Sequence, residues 1–181
     1  MSKNSGNIRY VLGIDPSGNF NEGKGTTGWC VLDTHMDRII ECGSIQASKC
    51  NSQQGYWLAH VNMISTMYSR YKDKGFVVSM EDYVLYSHQA KAQINSAMET
   101  SQLIGVIKML CFYKCIPLYI RTASQVKKRW TDNILCLKGY IRKVGSGYFL
   151  DCKVHTTCEH ERDAIRHAVH CATFELKEAK K

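Results

Sequence analysis

The sequence predicts an α/β protein built on a mixed five-stranded sheet, three antiparallel strands followed by two parallel ones, flanked by helices. Three observations predict it. In Val11-Leu-Gly-Ile-Asp-Pro-Ser-Gly18, Leu12 and Ile14 flank a glycine in a short apolar run that ends in a carboxylate, Asp15, which reads as a strand buried on both faces. Two more strand-like segments follow closely, the pattern of an antiparallel meander. The later strand-like segments are separated by helical periodicity, and strand–helix–strand units imply parallel pairing.

Taken in order, residues 1–8 form a loose polar tail and Arg9 to Asp15 the first strand. The glycine-rich loop Pro16 to Thr26 has the composition of a phosphate cradle, or of a plain connection, but lacks the Gly-Lys-Ser/Thr ending of a P-loop. Thr27 to Asp33 and Arg38 to Gln46 are the second and third strands. From Ser52 to about Tyr71, Trp57, Val61, Ile64, Met67, Tyr68 and Tyr71 recur at three- and four-residue spacing, which predicts an amphipathic helix. Phe76 to Glu81 is a second buried strand ending in a carboxylate. A helix follows from about Ala92 to Tyr113, then a short strand from Pro117 to Arg121. Thr122 or Ser124 caps a helix that starts at Gln125 and reaches Trp130. Residues 131–158 carry little periodicity. The last helix runs from about Glu159 to Lys177, with Ile165, Ala168, Val169, Ala172 and Leu176 on its apolar side.

A length of 181 residues fits one domain, here residues 1–181, with no linker or repeat at which to divide it. An excess of 24 Lys+Arg over 16 Asp+Glu gives a net charge of +8, which favours a polyanionic partner, nucleic acid first. Nine cysteines and a polar start point to reduced thiols and a cytoplasmic protein, in a bacterium or in the host of its virus. No apolar run approaches a membrane span, so no membrane partner is expected.

Asp15 and Glu81 end buried strands, and a carboxylate there needs a metal ion, strong hydrogen bonds or a raised pKa. Asp163, near the start of the last helix, is a third acid able to converge on them. An oxygen-rich set of this kind suits Mg²⁺ or Mn²⁺ better than zinc. His160 lies three residues before Asp163 on the same helical face and is read as ligand or proton handler. His167 and His170 are expected to be surface or capping residues.

Together, Gly13-Ile-Asp-Pro16 with Thr27-Gly-Trp29, Glu81 after an apolar strand, and His160-x-x-Asp163-Ala164 resemble the RuvC-type Holliday junction resolvases of the ribonuclease H-like superfamily. Gln102-x-x-Gly105 and Ser124-Gln-Val-Lys127-Lys128 extend the resemblance over roughly residues 9–175. It implies a homodimer that resolves four-way DNA junctions by paired symmetric nicks, with forks and other branched DNA as further substrates. It also implies two Mg²⁺ ions per site, replaceable by Mn²⁺ and held by Asp15, Glu81, His160 and Asp163. Lys127 and Lys138 correspond to lysines near the scissile phosphate, Lys128 and Arg129 extend the DNA-binding set, and Tyr83 or Tyr86 is placed to stack on an unpaired base. The helix from about Ala92 is the expected dimer interface. The glycine loop after Asp15, the segment between Glu81 and Gln102, and residues 139–158 depart from the family pattern.

Other readings remain. Cys152-x-x-His155-x-x-Cys158-x-His160 supplies zinc donors at irregular spacing. His160-Glu161 opens like a zinc-protease helix, but Ala164 stands where its second histidine belongs. An actin-like ATPase opens with a similar strand and glycine loop, in a longer chain of two lobes. A ribonuclease acting on RNA–DNA hybrids shares the fold and metal chemistry, and a non-catalytic junction-binding protein shares the fold.

Overall fold

The computed structural model describes residues 8–83, 98–153 and 156–176. Its main sheet has five strands, β1 (Tyr10–Asp15), β2 (Thr26–Asp33), β3 (Arg38–Gln46), β4 (Phe76–Asp82) and β5 (Leu118–Thr122), in the order β3-β2-β1-β4-β5. β1–β2 and β2–β3 pair antiparallel, and β1–β4 and β4–β5 parallel, as the sequence predicts. The helices are α1 (Gln53–Tyr71), α2 (Glu99–Tyr113), α3 (Ala123–Lys127), α4 (Asp132–Leu137) and α5 (Glu159–His170), the last continued by a π-helical turn, Cys171–Glu175. A small hairpin, β6 (Arg142–Val144) and β7 (Gly147–Phe149), lies between α4 and α5. Ser52 caps α1 by accepting from the Gly55 N–H at 3.0 Å, and Thr122, not Ser124, caps α3 through a capping box with Gln125.

All six residues of β1 are buried, because both faces of the sheet are covered. Tyr10, Leu12 and Ile14 pack with Val78 and Met80 of β4 against Tyr56 and Ile64 of α1 and Leu103 and Ile107 of α2. Val11 and Val77, of the opposite parity, pack against Ala164, Ile165 and Ala168 of α5. Asp15 and Glu81 share the parity of Val11 and Val77, so both project toward α5.

Two glycines allow α5 to lie directly on the strands. A Cβ on Gly13 would stand 2.1 Å from the Ala164 carbonyl oxygen, and one on Gly28 would stand 2.0 Å from that of His160. Gly28 is the register partner of Asp15. The first turn of α5 therefore descends beside the end of β1 only because β2 has no side chain at that position.

Residues 131–153, the least legible stretch, fold over the outer side of α5. Trp130, Leu135, Tyr140, Ile141 and Leu150 join Ile165 and Val169 in one core cluster. The expectation that His167 and His170 are surface or capping residues is overturned, since both are buried, His167 against Ser79 and Glu81 of β4 and His170 beside Arg129 and Phe174. The start of the helix predicted from Ala92 and the end of the one predicted to Lys177 lie outside the described residues.

Candidate active site

The chain ends of β1 and β4 and the first two turns of α5 bring the predicted acids together. Asp15 Oδ2 is 2.6 Å from His160 Nδ1. Burial pushes the Asp15 carboxyl above the ordinary carboxylate range, and the neighbouring charges of Glu81 and Asp163 add to the rise, against the hydrogen bond from His160. The same hydrogen bond raises the pKa of His160, against the desolvation of its burial.

Asp163 is nearly inaccessible and is held from two sides. Lys127 Nζ of α3 lies 2.8 Å from Oδ2, and the Arg166 guanidinium donates to Oδ1. Arg166 also donates to Asp132 and, through Nε, to the Trp130 carbonyl at 2.7 Å. Desolvation is the largest single influence and works against the Lys127 charge, but the hydrogen bond to Asp163 together with the charges of Asp163, Glu81 and Asp15 outweighs it and raises the ammonium pKa.

Glu81 faces His167, whose Nε2 is 3.4 Å from Glu81 Oε2. Neither atom has a hydrogen-bond partner. The Ser79 hydroxyl donates to the His167 carbonyl at 3.0 Å and ties α5 to β4 two residues before Glu81. Sequence reasoning missed His167, Arg166 and Asp132 as parts of this cluster. The signal for His167 was present, because His160, Asp163 and His167 recur at helical spacing, but which face of α5 lies on β4 was not readable.

The loop after Asp15 is tied down mainly by its own backbone. Four of its N–H groups are engaged within the protein, by Thr27 Oγ1 for Ser17 at 3.1 Å, by Thr100 Oγ1 for Gly18 at 3.0 Å, and by the buried Glu99 carboxylate for Phe20 and Asn21. A second network supports the loop from below. The Tyr56 hydroxyl donates to the Ser17 carbonyl at 2.7 Å, and His60 joins Thr27 Oγ1 at 2.8 Å to the Tyr56 carbonyl at 2.7 Å. His60 donates from Nδ1, since a carbonyl only accepts, and so receives the Thr27 proton at Nε2.

The other predicted residues lie around this centre. Tyr83 is half-buried and lines a cleft of about 120 Å³ with Glu81, Pro16 and Ala123. Lys128 and Arg129 are exposed just beyond Lys127. Lys138 ends α4 in an exposed position, and no described hydrogen bond or ion pair joins it to the acids. Tyr86 and His155 lie outside the described residues. Of the donors in the zinc reading, Cys158 caps α5 in a capping box with Glu161 and His160 is engaged by Asp15.

Among the described residues, no three His, Cys, Asp or Glu side chains already stand at the spacing of a metal's ligand shell. The donor set still fits a hard divalent cation. It is rich in carboxylate oxygen, it includes the unpartnered Oε2 of Glu81, and its acids are close enough to oppose one another's ionisation.

A structure titled as RuvC from T. thermophilus in complex with a Holliday junction substrate matches this chain at a TM-score of 0.68 and 17% identity, covering 94% of this chain and 97% of its own. The chain has the RuvC fold. A second Thermus thermophilus RuvC structure matches at a TM-score of 0.62 and 16% identity, with the same coverage of 94% and 97%. The ribonuclease H-like architecture expected from the motifs is therefore present over nearly the whole chain. No protein-family model matches the chain, and no curated protein matches it. Among the described residues, no helix is long and apolar enough to cross a membrane.

Proposed function

We propose that this protein is a structure-specific DNA endonuclease that resolves four-way junctions by paired, symmetric, metal-dependent nicks and also accepts forks. The observation that carries this reading is the convergence of Asp15, Glu81, Asp163 and His160 at one sheet edge, with Lys127 beside them, in the fold of a RuvC solved with a Holliday junction substrate.

Two Mg²⁺ or Mn²⁺ ions, held by Asp15, Glu81, Asp163 and His160, would supply a reactive water at neutral pH and stabilise the leaving oxygen. The chain's own groups do the rest. Asp15 and Glu81 are fixed by β1 and β4, and Asp163 by its bonds to Arg166 and Lys127, so the acids need little reorganisation. His160, hydrogen-bonded through Nδ1 to Asp15 Oδ2, holds that carboxylate in place. Lys127 is half-exposed, and its ammonium can donate to a phosphoryl oxygen as negative charge develops there.

The reading of a second copy is supported by α2. Met109, Phe112 and Tyr113 are 69%, 83% and 84% exposed and lie on one face with Gly105, a stripe too apolar for open water. A two-fold dimer through this stripe presents two sites to a near-symmetric junction. Nine free thiols and a net charge of +8 suit a DNA-binding protein of a reducing cytoplasm, bacterial or viral-host.

The test is incubation of purified protein and Mg²⁺ or Mn²⁺ with a fixed four-way junction, a fork, a duplex and an RNA–DNA hybrid. Paired nicks in the junction, with fork cutting, are expected. Cutting of the hybrid alone would replace the resolvase with a ribonuclease H, and binding without cutting would leave a junction-binding protein.

A further inference from the structure

The cations following Lys127 do not all serve the acid cluster. A cleft of about 510 Å³ opens on the outer side of β5, where Arg121, Lys128 and Arg129 converge over His170 and Phe174. Arg121 is the register partner of Glu81, so this cleft lies one strand beyond the acids, at the same end of the sheet. Arg129 is braced, its guanidinium 4.8 Å from the centre of the Phe174 ring. Arg121 is paired with Glu175 at 2.6 Å, the one acidic side chain lining the cleft. Three cations against one carboxylate leave an excess of positive charge.

The floor of the cleft makes it more than a basic surface. His170 is only 8% exposed, its ring lies 5.0 Å from that of Phe174, and its Nδ1 has no hydrogen-bond partner. A buried ring nitrogen without a partner is costly, and it has a use where an acceptor can reach the ring. Lys128 and Arg129 provide charge-assisted donors at the rim for the same acceptor.

We propose that this cleft is a phosphate subsite, separate from the acid cluster, which grips a backbone phosphate of the nucleic-acid strand that crosses the sheet edge beyond the scissile bond. This rests on the reading of the protein as a branched-DNA nuclease. The phosphate bonds to Arg129 and Lys128, and its seating brings an oxygen to His170. The subsite sets how far a strand is drawn past the acids and contributes affinity rather than chemistry.

The test uses the full chain in metal-free buffer, where a fixed junction is bound without being cut. Salt dependence of binding is compared for wild type, Lys128→Ala and Arg129→Ala, on junctions carrying a neutral methylphosphonate at successive positions. Each variant is expected to weaken binding and to lower the slope of log K against log salt by about 1. One methylphosphonate position should weaken wild type and leave Arg129→Ala unaffected. Unchanged slopes, or methylphosphonate effects equal in wild type and variant at every position, would overturn the subsite. If wild type binds no branched DNA, the nuclease reading fails, and titration with inorganic pyrophosphate judges the cleft alone. A saturable shift of the His170 ring resonances that Arg129→Ala abolishes then supports a phosphate site served by another source, and no shift overturns it.

Discussion

Lys127 is the residue whose contacts separate chemistry from structure. It is the half-exposed partner of Asp163, whereas Arg166 is the buried one. Lys127→Ala should therefore leave the fold intact, because Arg166 still neutralises Asp163, and should slow single-turnover cleavage by about 10²–10³, the usual effect of losing one donor to developing charge. Unaltered cleavage would leave Lys127 with no role beyond the positive charge of the surface. His60 is a different kind of residue, a buried base that supports the site loop. Burial lowers its pKa to about 4 from an ordinary 6.5. Between those values the unfolded chain binds a proton that the folded chain refuses, so the contribution of His60 is intact above about pH 6.5 and is lost as pH falls toward 4. The window corresponds to about 3 kcal/mol at most. Urea unfolding of wild type and His60→Gln across that range should show a steeper fall for wild type, and parallel curves would contradict the assignment.

At the scale of elements, the site depends on the approach of α5 to the sheet. Gly28→Ala places a methyl group against the His160 carbonyl and must lift the first turn of α5 away from Asp15. We expect a loss of about 1–3 kcal/mol in denaturant unfolding, the range of overpacked sites, and a larger proportional loss of cleavage than of stability. Wild-type activity in that variant would mean that the acids need not be so close.

These elements were unequally legible in the sequence. The sheet strands fall within about a residue of their expected positions because both core strands carry uninterrupted apolar runs closed by an acid, a pattern that local chemistry enforces. Asp15, Glu81, His160 and Asp163 were legible for the same reason, since each stands at an element end or on one helical face. Residues 131–153 were not. Their elements are too short to show a period, and α4 and β7 are tied to α5 through Asp132 and Tyr148, both of which meet Arg162. The errors at His167 and His170 have a separate cause, because a polar residue on a helix reads as exposed until the element that packs on it is known, here β4 for His167 and the Arg129–Phe174 pair for His170. The Glu99 clasp on the glycine loop was equally hidden, as it joins residues far apart in sequence.

At the scale of the whole molecule, the exposed stripe on α2 and the positive charge make linked demands. Sedimentation should give a species of twice the 20.6 kDa chain mass, and Phe112→Asp should shift it toward the monomer and turn paired nicks into single ones. A wild-type monomer that still nicks symmetrically would remove α2 from the account. The most direct measurement compares single-turnover cleavage of a fixed, end-labelled four-way junction by wild type and Glu81→Gln in Mg²⁺ or Mn²⁺, with binding measured in parallel. The account predicts symmetric nicks from wild type, and from the variant no nicks but undiminished binding, because one acid of the cluster is removed while the fold and basic surface remain. Cleavage by Glu81→Gln at the wild-type rate would contradict the central claim that the acids of β1, β4 and α5 form the catalytic centre.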